Sequence, residues 1–248
     1  MKPIKLIVYW LLFGITQISA QESELMAEYK MVLQFPGPIV YSGTLLLNAG
    51  ASLFTFKPLP KQESGMGEEE ENGRSEIHIL DTMAAHIYIN RSQHLLLDKK
   101  KSLYTKEIVV VSEPVPQQDW VLEDDLRVIG KFTCKKAVAV FRGRKYTAWY
   151  CPDLPYGFGP WKLNGLPGLI VEASDEEGQV GFYLKQLLSP FRVKLLPPDQ
   201  ADFKILSYSD YRKKLQQEET EFQRRILSKL NREMNATVSV KRDDIERE

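Results

Sequence analysis

The sequence predicts a mainly β protein, a curved antiparallel meander sheet or open half-barrel with a long C-terminal α-helix. Three features predict this fold class. Short runs of alternating apolar residues, bounded by Gly, Pro and Asn turns, recur along most of the chain. These runs do not alternate with helical segments, as they would in an α/β fold. Only near the end of the chain does the apolar period change to that of a helix.

The first strands are predicted at residues 29–35 and 39–47, which a Pro-Gly-Pro breaker separates. An Asn-Ala-Gly turn then leads into residues 52–56. Residues 61–75 differ, because consecutive glutamates among glycines cannot pack, and we expect a flexible acidic loop there. Further strands are predicted at residues 76–80, 86–90, 94–97 and 103–111.

Two hairpins complete the predicted sheet. The clearest joins residues 121–141 to residues 145–151 around Arg142-Gly143-Arg144, and a second joins residues 169–173 to residues 180–187. We therefore assign residues 21–207 to a single antiparallel β domain.

Residues 208–235 are predicted to form an amphipathic helix. Its apolar positions recur at helical spacing and are Tyr211, Leu215, Phe222, Ile226 and Leu230. We expect this helix to pack on the sheet and to cover its concave face. The alternative is that it binds a partner or closes a barrel mouth. Residues 236–248 are expected to be a disordered tail.

Residues 1–20 resemble a secretory signal peptide in their build. Two lysines precede an apolar run, and Ser19 and Ala20 supply small residues for cleavage near Ala20. We therefore expect export, with the mature protein in the periplasm or outside the cell. No stretch of about 18 apolar residues follows, so the mature protein is not expected to be an integral membrane protein.

Composition excludes several classes of function. The 33 basic and 33 acidic residues balance, so no basic surplus indicates nucleic-acid binding. Two cysteines cannot form a four-cysteine zinc site. His78, His86 and His94 lack the spacing of metal ligands on a strand or helix, and no Gly-x-Ser-x-Gly nucleophile motif occurs. We therefore assign no metal, no cofactor and no catalytic residue.

Residues 120–171 contain a combination of segments that resembles a known family. The segments, in order, are Cys134-Lys135-Lys136-Ala137, Gly143-Arg144, Tyr146-Thr147-Ala148-Trp149-Tyr150 and the hexapeptide Gly165-Leu166-Pro167-Gly168-Leu169-Ile170. Together they resemble the GLPGLI family of exported bacterial proteins. The resemblance implies export into the envelope of a Gram-negative bacterium, and it implies no particular reaction. Cys151 stands where the family commonly has a polar residue.

The hexapeptide also has a physical interpretation. Pro167 and Gly168 occupy the second and third positions of a four-residue turn, which predicts a type II turn with positive φ at Gly168. We interpret the hexapeptide as structural; the alternative is that it forms part of a ligand rim. The aromatic residues that would share this candidate rim are Trp149, Tyr150, Phe158 and Trp161.

Cys134 and Cys151 lie on the two strands of the clearest hairpin, and its loop length decides how they meet. A four-residue loop, 141–144, faces Val140 with Lys145 and places the cysteines directly opposite each other. A two-residue loop, 143–144, leaves them diagonal, and a three-residue loop puts them on opposite faces. In an oxidising compartment the first register predicts a disulfide, and the alternative is two buried free thiols.

The predicted function is non-catalytic binding of an apolar or peptide-like ligand in the envelope. One alternative is an accessory subunit that docks on an outer-membrane transporter through an exposed edge strand or the helix. The other alternative is an uncharacterised enzyme.

Overall fold

The computed structural model describes residues 21–35, 38–59, 67–71, 74–79, 85–102, 104–200, 203–229, 237–242 and 245–247. The predicted signal peptide, residues 1–20, lies outside them. The strands of the described residues are β1 (Gln21–Glu22), β2 (Leu25–Gln34), β3 (Pro38–Leu47), β4 (Ala51–Pro58), β5 (Gly67–Glu71), β6 (Arg74–Ile79), β7 (Ala85–Asn90), β8 (Leu95–Lys101), β9 (Ile108–Pro114), β10 (Val121–Ile129), β11 (Phe132–Phe141), β12 (Arg144–Cys151), β13 (Leu169–Asp175), β14 (Val180–Leu188), β15 (Lys194–Leu195), β16 (Lys204–Ser207) and β17 (Thr237–Arg242). The helix α1 spans Tyr208–Lys229.

Twelve strands form one open sheet. Their order is β10-β11-β12-β13-β14-β2-β3-β4-β7-β8-β9-β16, and all neighbours are antiparallel except β16, which runs parallel to β9. The two ends of this order, β10 and β16, do not pair with each other, so the sheet is not closed. The predicted mainly β class, with an open sheet and a C-terminal helix, is confirmed.

One face of the sheet carries the main hydrophobic core. Buried and half-buried residues alternate along β2 and β3, as expected for strands with one covered face. Tyr29 and Met31 of β2 are completely buried there. The Tyr29 hydroxyl donates a hydrogen bond to the carbonyl of Ile170 at 2.6 Å, so the polar end of this side chain is satisfied.

The loop of residues 152–168 covers this core face. Its large apolar side chains Phe158, Trp161, Leu163 and Leu166 are buried in the main core. In the described part of the helix, Leu215 and Glu218 are the buried side chains, and no helix residue belongs to that core. The expectation that the helix covers the concave face was therefore wrong, because the loop already supplies the apolar cover.

The helix α1 lies instead beside the β9–β16 end of the sheet. The carboxylate of Glu218 accepts hydrogen bonds from the hydroxyl groups of Ser102 at 2.7 Å and Thr105 at 3.2 Å. The ring of Phe222 contacts the ring of Tyr104, with 5.3 Å between their centroids. The helix starts at Tyr208 as predicted, and residues 230–235 of its predicted range lie outside the described residues.

Two segments expected to be unstructured contain strands. Strand β5 lies within the predicted flexible loop 61–75, and β17 lies within the predicted disordered tail 236–248. Strand β6 pairs with both, antiparallel to β5 and parallel to β17, in a separate three-stranded sheet. These expectations were wrong because both segments pair with β6, β5 in a local hairpin and β17 across a long separation in sequence, and composition alone does not reveal such pairing.

Candidate functional site

A completely buried lysine lies at the centre of a cluster of charged groups. The ammonium of Lys162, in the loop of residues 152–168, is within ion-pair distance of three carboxylates. It lies 3.1 Å from Asp98 on β8, 3.0 Å from Glu113 on β9 and 2.7 Å from Glu246 near the end of the chain. A buried charge requires such partners, because desolvation without them costs several kcal/mol.

Two further cations surround these carboxylates. Lys100 lies 3.4 Å from Asp98 and 3.8 Å from Glu246, and the guanidinium of Arg142 pairs with Glu113. The Arg142 guanidinium also lies 3.7 Å from the centre of the Tyr208 ring, a cation–π contact with the start of α1. The cluster thus holds three cations and three carboxylates, and its formal charge is zero.

The environment favours the charged form of both central groups. Burial alone would lower the pKa of Lys162, but Asp98 and Glu246 outweigh it and raise that pKa above its ordinary value. Burial alone would raise the pKa of Glu246, but Lys100 and Lys162 outweigh it and hold that pKa well below its ordinary value. The two groups therefore form an ion pair at neutral pH.

Residues 245–247, which we call the closing segment, are held by their main chain as well as by their side chains. The Arg144 Nε donates to the carbonyl of Ile245 at 2.9 Å, and the Arg247 N–H donates to the carbonyl of Arg142 at 3.2 Å. The Ile245 side chain is buried in the main core. The Arg247 guanidinium donates to Glu177 and Gln179, each at 2.6 Å.

The turns on either side of the closing segment also have stabilising interactions that do not involve it. Arg142 and Gly143 both have positive φ, of 49° and 70°, as a two-residue type I′ hairpin turn requires. Arg144 forms a buried ion pair with Asp175 at 2.7 Å. The other carboxylate oxygen of Asp175 accepts a hydrogen bond from the backbone N–H of Val180 at 2.8 Å, which fixes the turn between β13 and β14.

The loop that presents Lys162 depends on glycines and on hydrogen bonds to its backbone. The carbonyl of Lys162 accepts hydrogen bonds from the side chains of Gln118 at 2.8 Å and Asn164 at 3.0 Å. Gly165 has a φ of 95°, in the left-handed region that favours glycine. Lys162 is therefore fixed by its main chain as well as by the ion pairs of its side chain.

The hexapeptide is structured differently from the predicted type II turn. Gly168 does not have positive φ, so that prediction was wrong. A Cβ at Gly168 would instead collide with the carbonyl group of Cys151, lying 2.7 Å from its carbon atom. Gly168 is required by this close approach of two backbones, and Leu169 then begins β13 as expected.

The structure does not bring the four candidate rim residues to one opening. Tyr150, Phe158 and Trp161 are buried in the core. Trp149 and Tyr150 are neighbours on β12 and point to opposite faces of the strand. The Arg127 guanidinium lies 4.3 Å from the centre of the Trp149 ring. These aromatic residues therefore pack the fold, and they do not form a common ligand rim.

The two cysteines lie in the register that the four-residue-loop alternative requires. Val140 faces Lys145, and continuation of the observed pairing past Lys135 and Tyr150 brings Cys134 opposite Cys151. The turn itself is two residues long, 142–143, because Phe141 also pairs with Arg144. Both cysteines are buried free thiols in the structure, and the disulfide stays a prediction.

The histidines are spread over different elements. His78 lies on β6, His86 on β7 and His94 in the turn that precedes β8. Burial and the charge of Lys99 lower the pKa of His86. Among the side chains that the structure describes, no group of three or more His, Cys, Asp or Glu residues could hold a metal ion.

The edge strand β10 exposes a series of apolar side chains. Val121, Leu122, Leu126 and Val128 are 65%, 55%, 64% and 69% exposed. Leu126 and Val128 pair with Lys135 and Thr133 of β11, whereas the other side of β10 has no strand beside it in the described structure. Exposed apolar residues of this density on a free edge indicate an interaction surface.

Sequence reasoning missed the charged cluster. Its members Asp98, Glu113, Lys162 and Glu246 are far apart in the chain, and nothing local connects them. One signal was present: Lys162 is the only charged residue between positions 154 and 171, within an apolar, Gly- and Pro-rich segment. A lone charge in a segment that packs as core requires a buried counter-ion.

Comparison with known proteins gives a match to part of the chain. A family model described as "Protein of unknown function (Porph_ging)" matches residues 141–172, from the end of β11 to the first half of β13. No curated protein matches the chain. The match covers Gly143-Arg144 and the hexapeptide, whereas the resemblance to the GLPGLI family stays a prediction.

The fold resembles that of larger solved proteins. The structures described as "Structure of PNGF-II in C2 space group" and "Structure of PNGF-II in P21 space group" are 14% and 15% identical in sequence to this chain, and both have a TM-score of 0.51. Each match covers 79% of this chain and 33% or 34% of the other. This chain therefore spans about a third of their length, and the similarity shows the fold alone. No helix in the described part of the chain is long and apolar enough to cross a membrane.

Proposed function

We propose that this protein is an exported, non-catalytic binding protein that takes up an extended peptide segment as an additional strand beside β10. The observation that carries the proposal is the row of exposed apolar side chains on this free sheet edge. An edge strand presents unpaired N–H and C=O groups on its outer side, which give affinity to any extended peptide. Pockets between side chains that alternate along the strand give selectivity.

A peptide is better supported than an apolar small molecule. A small-molecule carrier needs an apolar concavity, and in the described structure Phe158, Trp161, Leu163 and Leu166 fill the core face of the sheet. Exposed apolar surface is found instead along the β10 edge. The exposed apolar surface of β10 therefore favours an extended peptide over an apolar small molecule as the ligand.

The acidic bulge of β10 adds selectivity. The pairing of β10 with β11 shifts register between Leu122 and Leu126, and the residues of this bulge are Glu123, Asp124 and Asp125. Lys136 pairs with Glu123 at 2.7 Å, which leaves a net negative charge on the bulge. Two copies paired through β10 would oppose these acidic groups, so the edge resists self-association. A ligand with a basic residue facing the bulge and apolar residues facing Leu126 and Val128 is favoured.

Selection from a displayed library of random twelve-residue peptides tests this proposal. We expect enrichment of alternating apolar sequences that contain Lys or Arg. Hydrogen exchange of the complex with a selected peptide should show new protection of the β10 amides. The substitution Val128→Lys should weaken binding at least tenfold, because it places a charge in the apolar contact.

Val140→Lys is the matched control. Val140 is 70% exposed, but it lies on β11, the second strand of the sheet, and should not contact a strand added beside β10. Equal loss of binding in both variants, a footprint elsewhere, or failure to enrich any peptide would contradict the proposal.

Two further elements of the proposal concern location and the nature of the partner. Export rests on residues 1–20, and N-terminal sequencing of secreted protein should find a chain that begins near Gln21; a chain that begins at Met1 would contradict it. If the added strand belongs to an outer-membrane transporter, that transporter should bind the wild-type protein and should not bind the Val128→Lys variant. A Val128→Lys variant that no longer binds the peptide but still binds the transporter would contradict the accessory role.

A further inference from the structure

The closing segment is bound in the manner of a peptide ligand. The buried carboxylate of Glu246 pairs with the ammonium of Lys162, and the apolar side chain of Ile245 packs in the core. Arg247 forms an ion pair with Glu177 at the surface. All these contacts come from three consecutive residues, so a short peptide contains every contact that the structure describes for this segment.

The cations around this segment also have partners outside it. Arg144 is held by Asp175 at 2.7 Å and by Gln179 at 3.0 Å, both on the chain that leads from β13 to β14. Lys162 is held by Asp98 and Glu113 as well as by Glu246. The groove therefore has partners for its cations when the closing segment leaves.

The charges of the groove favour a carboxylate ligand. Among the named groups of the cluster, loss of Glu246 leaves the three cations of Lys100, Lys162 and Arg142 with the two carboxylates of Asp98 and Glu113. The emptied cluster then has a formal charge of +1 around a buried ammonium, which is an unfavourable arrangement in a poorly solvated site. A ligand that returns one carboxylate to the position of Glu246 restores neutrality.

We propose that this groove is a carboxylate-anchored peptide-binding site that accepts an Ile-Glu-Arg segment in trans, with the closing segment as its resident ligand. The glutamate of the incoming peptide pairs with Lys162 and Lys100, the apolar residue enters the position of Ile245, and the arginine pairs with Glu177. In the wild-type chain the tethered segment has the advantage of high effective concentration, so the incoming peptide competes poorly.

A fluorescent peptide with the sequence of residues 243–248, Asp-Asp-Ile-Glu-Arg-Glu, tests the proposal on full-length protein. The variant Glu246→Gln weakens the resident segment without shortening the chain, and it should bind this peptide at least tenfold more tightly than wild-type protein does. The variant Ile245→Ala weakens the resident segment by a second route and keeps every charge of the cluster. It should show the same gain.

Two altered peptides identify the anchor. An E246Q peptide should lose at least tenfold in affinity for the Ile245→Ala variant. A D243N peptide loses the same formal charge but keeps the Glu246 carboxylate, so it should bind at least tenfold more tightly than the E246Q peptide. Equal weakening of both peptides would indicate general electrostatic attraction and overturn the proposal, as would failure of both protein variants to bind.

Wild-type protein provides a measurement that does not depend on the folding of any variant. Excess peptide should displace the closing segment saturably, and hydrogen exchange at the backbone amide of Arg247, which donates to Arg142, should accelerate. The E246Q peptide in the same excess should leave this exchange unchanged. Unchanged exchange with the unaltered peptide at about 10 mM, above the roughly millimolar effective concentration of a tethered segment, would overturn the proposal.

Discussion

The carboxylate of Glu246 lies 2.7 Å from the ammonium of Lys162, although the two residues are far apart in the chain. This contact connects the last described segment to the loop that covers the core. Both side chains are almost completely buried, so the pair stabilises the fold only if the whole cluster forms together.

Replacement of Lys162 by Met should destabilise the protein strongly. The substitution keeps the length of the side chain but leaves Asp98, Glu113 and Glu246 close together without their central cation. Breaking a buried pair in this way costs about 3–5 kcal/mol in the free energy of unfolding. Denaturant unfolding followed by circular dichroism measures the loss.

Lys145→Met is the control for that substitution. Lys145 pairs with Glu176 at 2.8 Å, but both side chains are more than half exposed. An exposed pair contributes about 0–1 kcal/mol, so this variant should unfold nearly as wild-type protein does. Similar stabilities for the Lys162 and Lys145 variants would show that the cluster does not hold the fold together.

The contribution of Glu246 should depend on pH in one direction. Its pKa in the folded protein lies below its ordinary value of 4.5 because, although burial opposes ionisation, Lys100 and Lys162 outweigh it. A carboxylate with a depressed pKa stabilises the folded state above its unfolded pKa and loses that effect as the pH falls through the folded pKa. The stability difference between wild type and Glu246→Gln should therefore be largest above about pH 5.5 and shrink below about pH 4.5. A difference that does not change between pH 7 and pH 3 would contradict this assignment.

Gly168→Ala should be among the most damaging small substitutions in the chain. The added Cβ would lie 2.7 Å from the carbonyl carbon of Cys151 and 3.0 Å from the nitrogen of Pro152, and neither backbone atom can move freely. We expect a loss of about 3 kcal/mol or more in the free energy of unfolding. Thermal unfolding checks this expectation.

Gly130→Ala separates steric collision from backbone strain. Gly130 has a φ of 58°, but a Cβ there meets nothing within 4 Å, so only the left-handed conformation is penalised, by about 1–2 kcal/mol. Equal losses at Gly168 and Gly130 would mean that the two backbones at Gly168 can separate at little cost.

The local sequence predicted where strands occur better than where they end. Residues 145–151 lie in β12 as predicted, but the predicted strand 121–141 was wrong. It is two strands, β10 and β11, which pair with each other because the chain turns at Gly130, where φ is 58°. The facing of Val140 with Lys145 is that of the four-residue-loop alternative. The observed turn consists of Arg142 and Gly143, so it matches neither the 141–144 nor the 143–144 alternative, because a non-glycine residue with positive φ, such as Arg142, is not expected from its residue type. Its register is that of the 141–144 loop, since a loop shortened by one residue on each side keeps the same pairs.

The remaining features depend on contacts between distant residues. Glycine at position 168 suggests positive φ, but whether another backbone passes close by depends on Cys151 and on the path of the loop. Likewise, Ile245 and Glu246 lie in a charged stretch that looks disordered, and contacts with distant residues such as Lys162 and Arg144 make them part of the fold. Sequence patterns report local preferences, whereas this cluster is assembled by tertiary structure.

Cys134 and Cys151 should form a disulfide when the folded protein meets oxidised glutathione. The register of their strands, continued by one pair beyond Lys135 and Tyr150, places them opposite each other. Each protein disulfide formed would convert one oxidised glutathione to two molecules of reduced glutathione. Burial and the neighbouring Cys151 raise the pKa of the Cys134 thiol to about 11, so the thiolate is scarce at neutral pH. Closure should therefore be slow at pH 7 and accelerate as the pH rises towards 9.

Thiol titration of the unfolded, unreduced product should find no free thiol, and the bridge should raise the free energy of unfolding by about 3 kcal/mol, or less if it is strained. The Cys151→Ser variant, which cannot close, should keep its stability unchanged by the oxidant; two free thiols in oxidised wild-type protein, at equilibrium and at pH 9, would rule out the bridge.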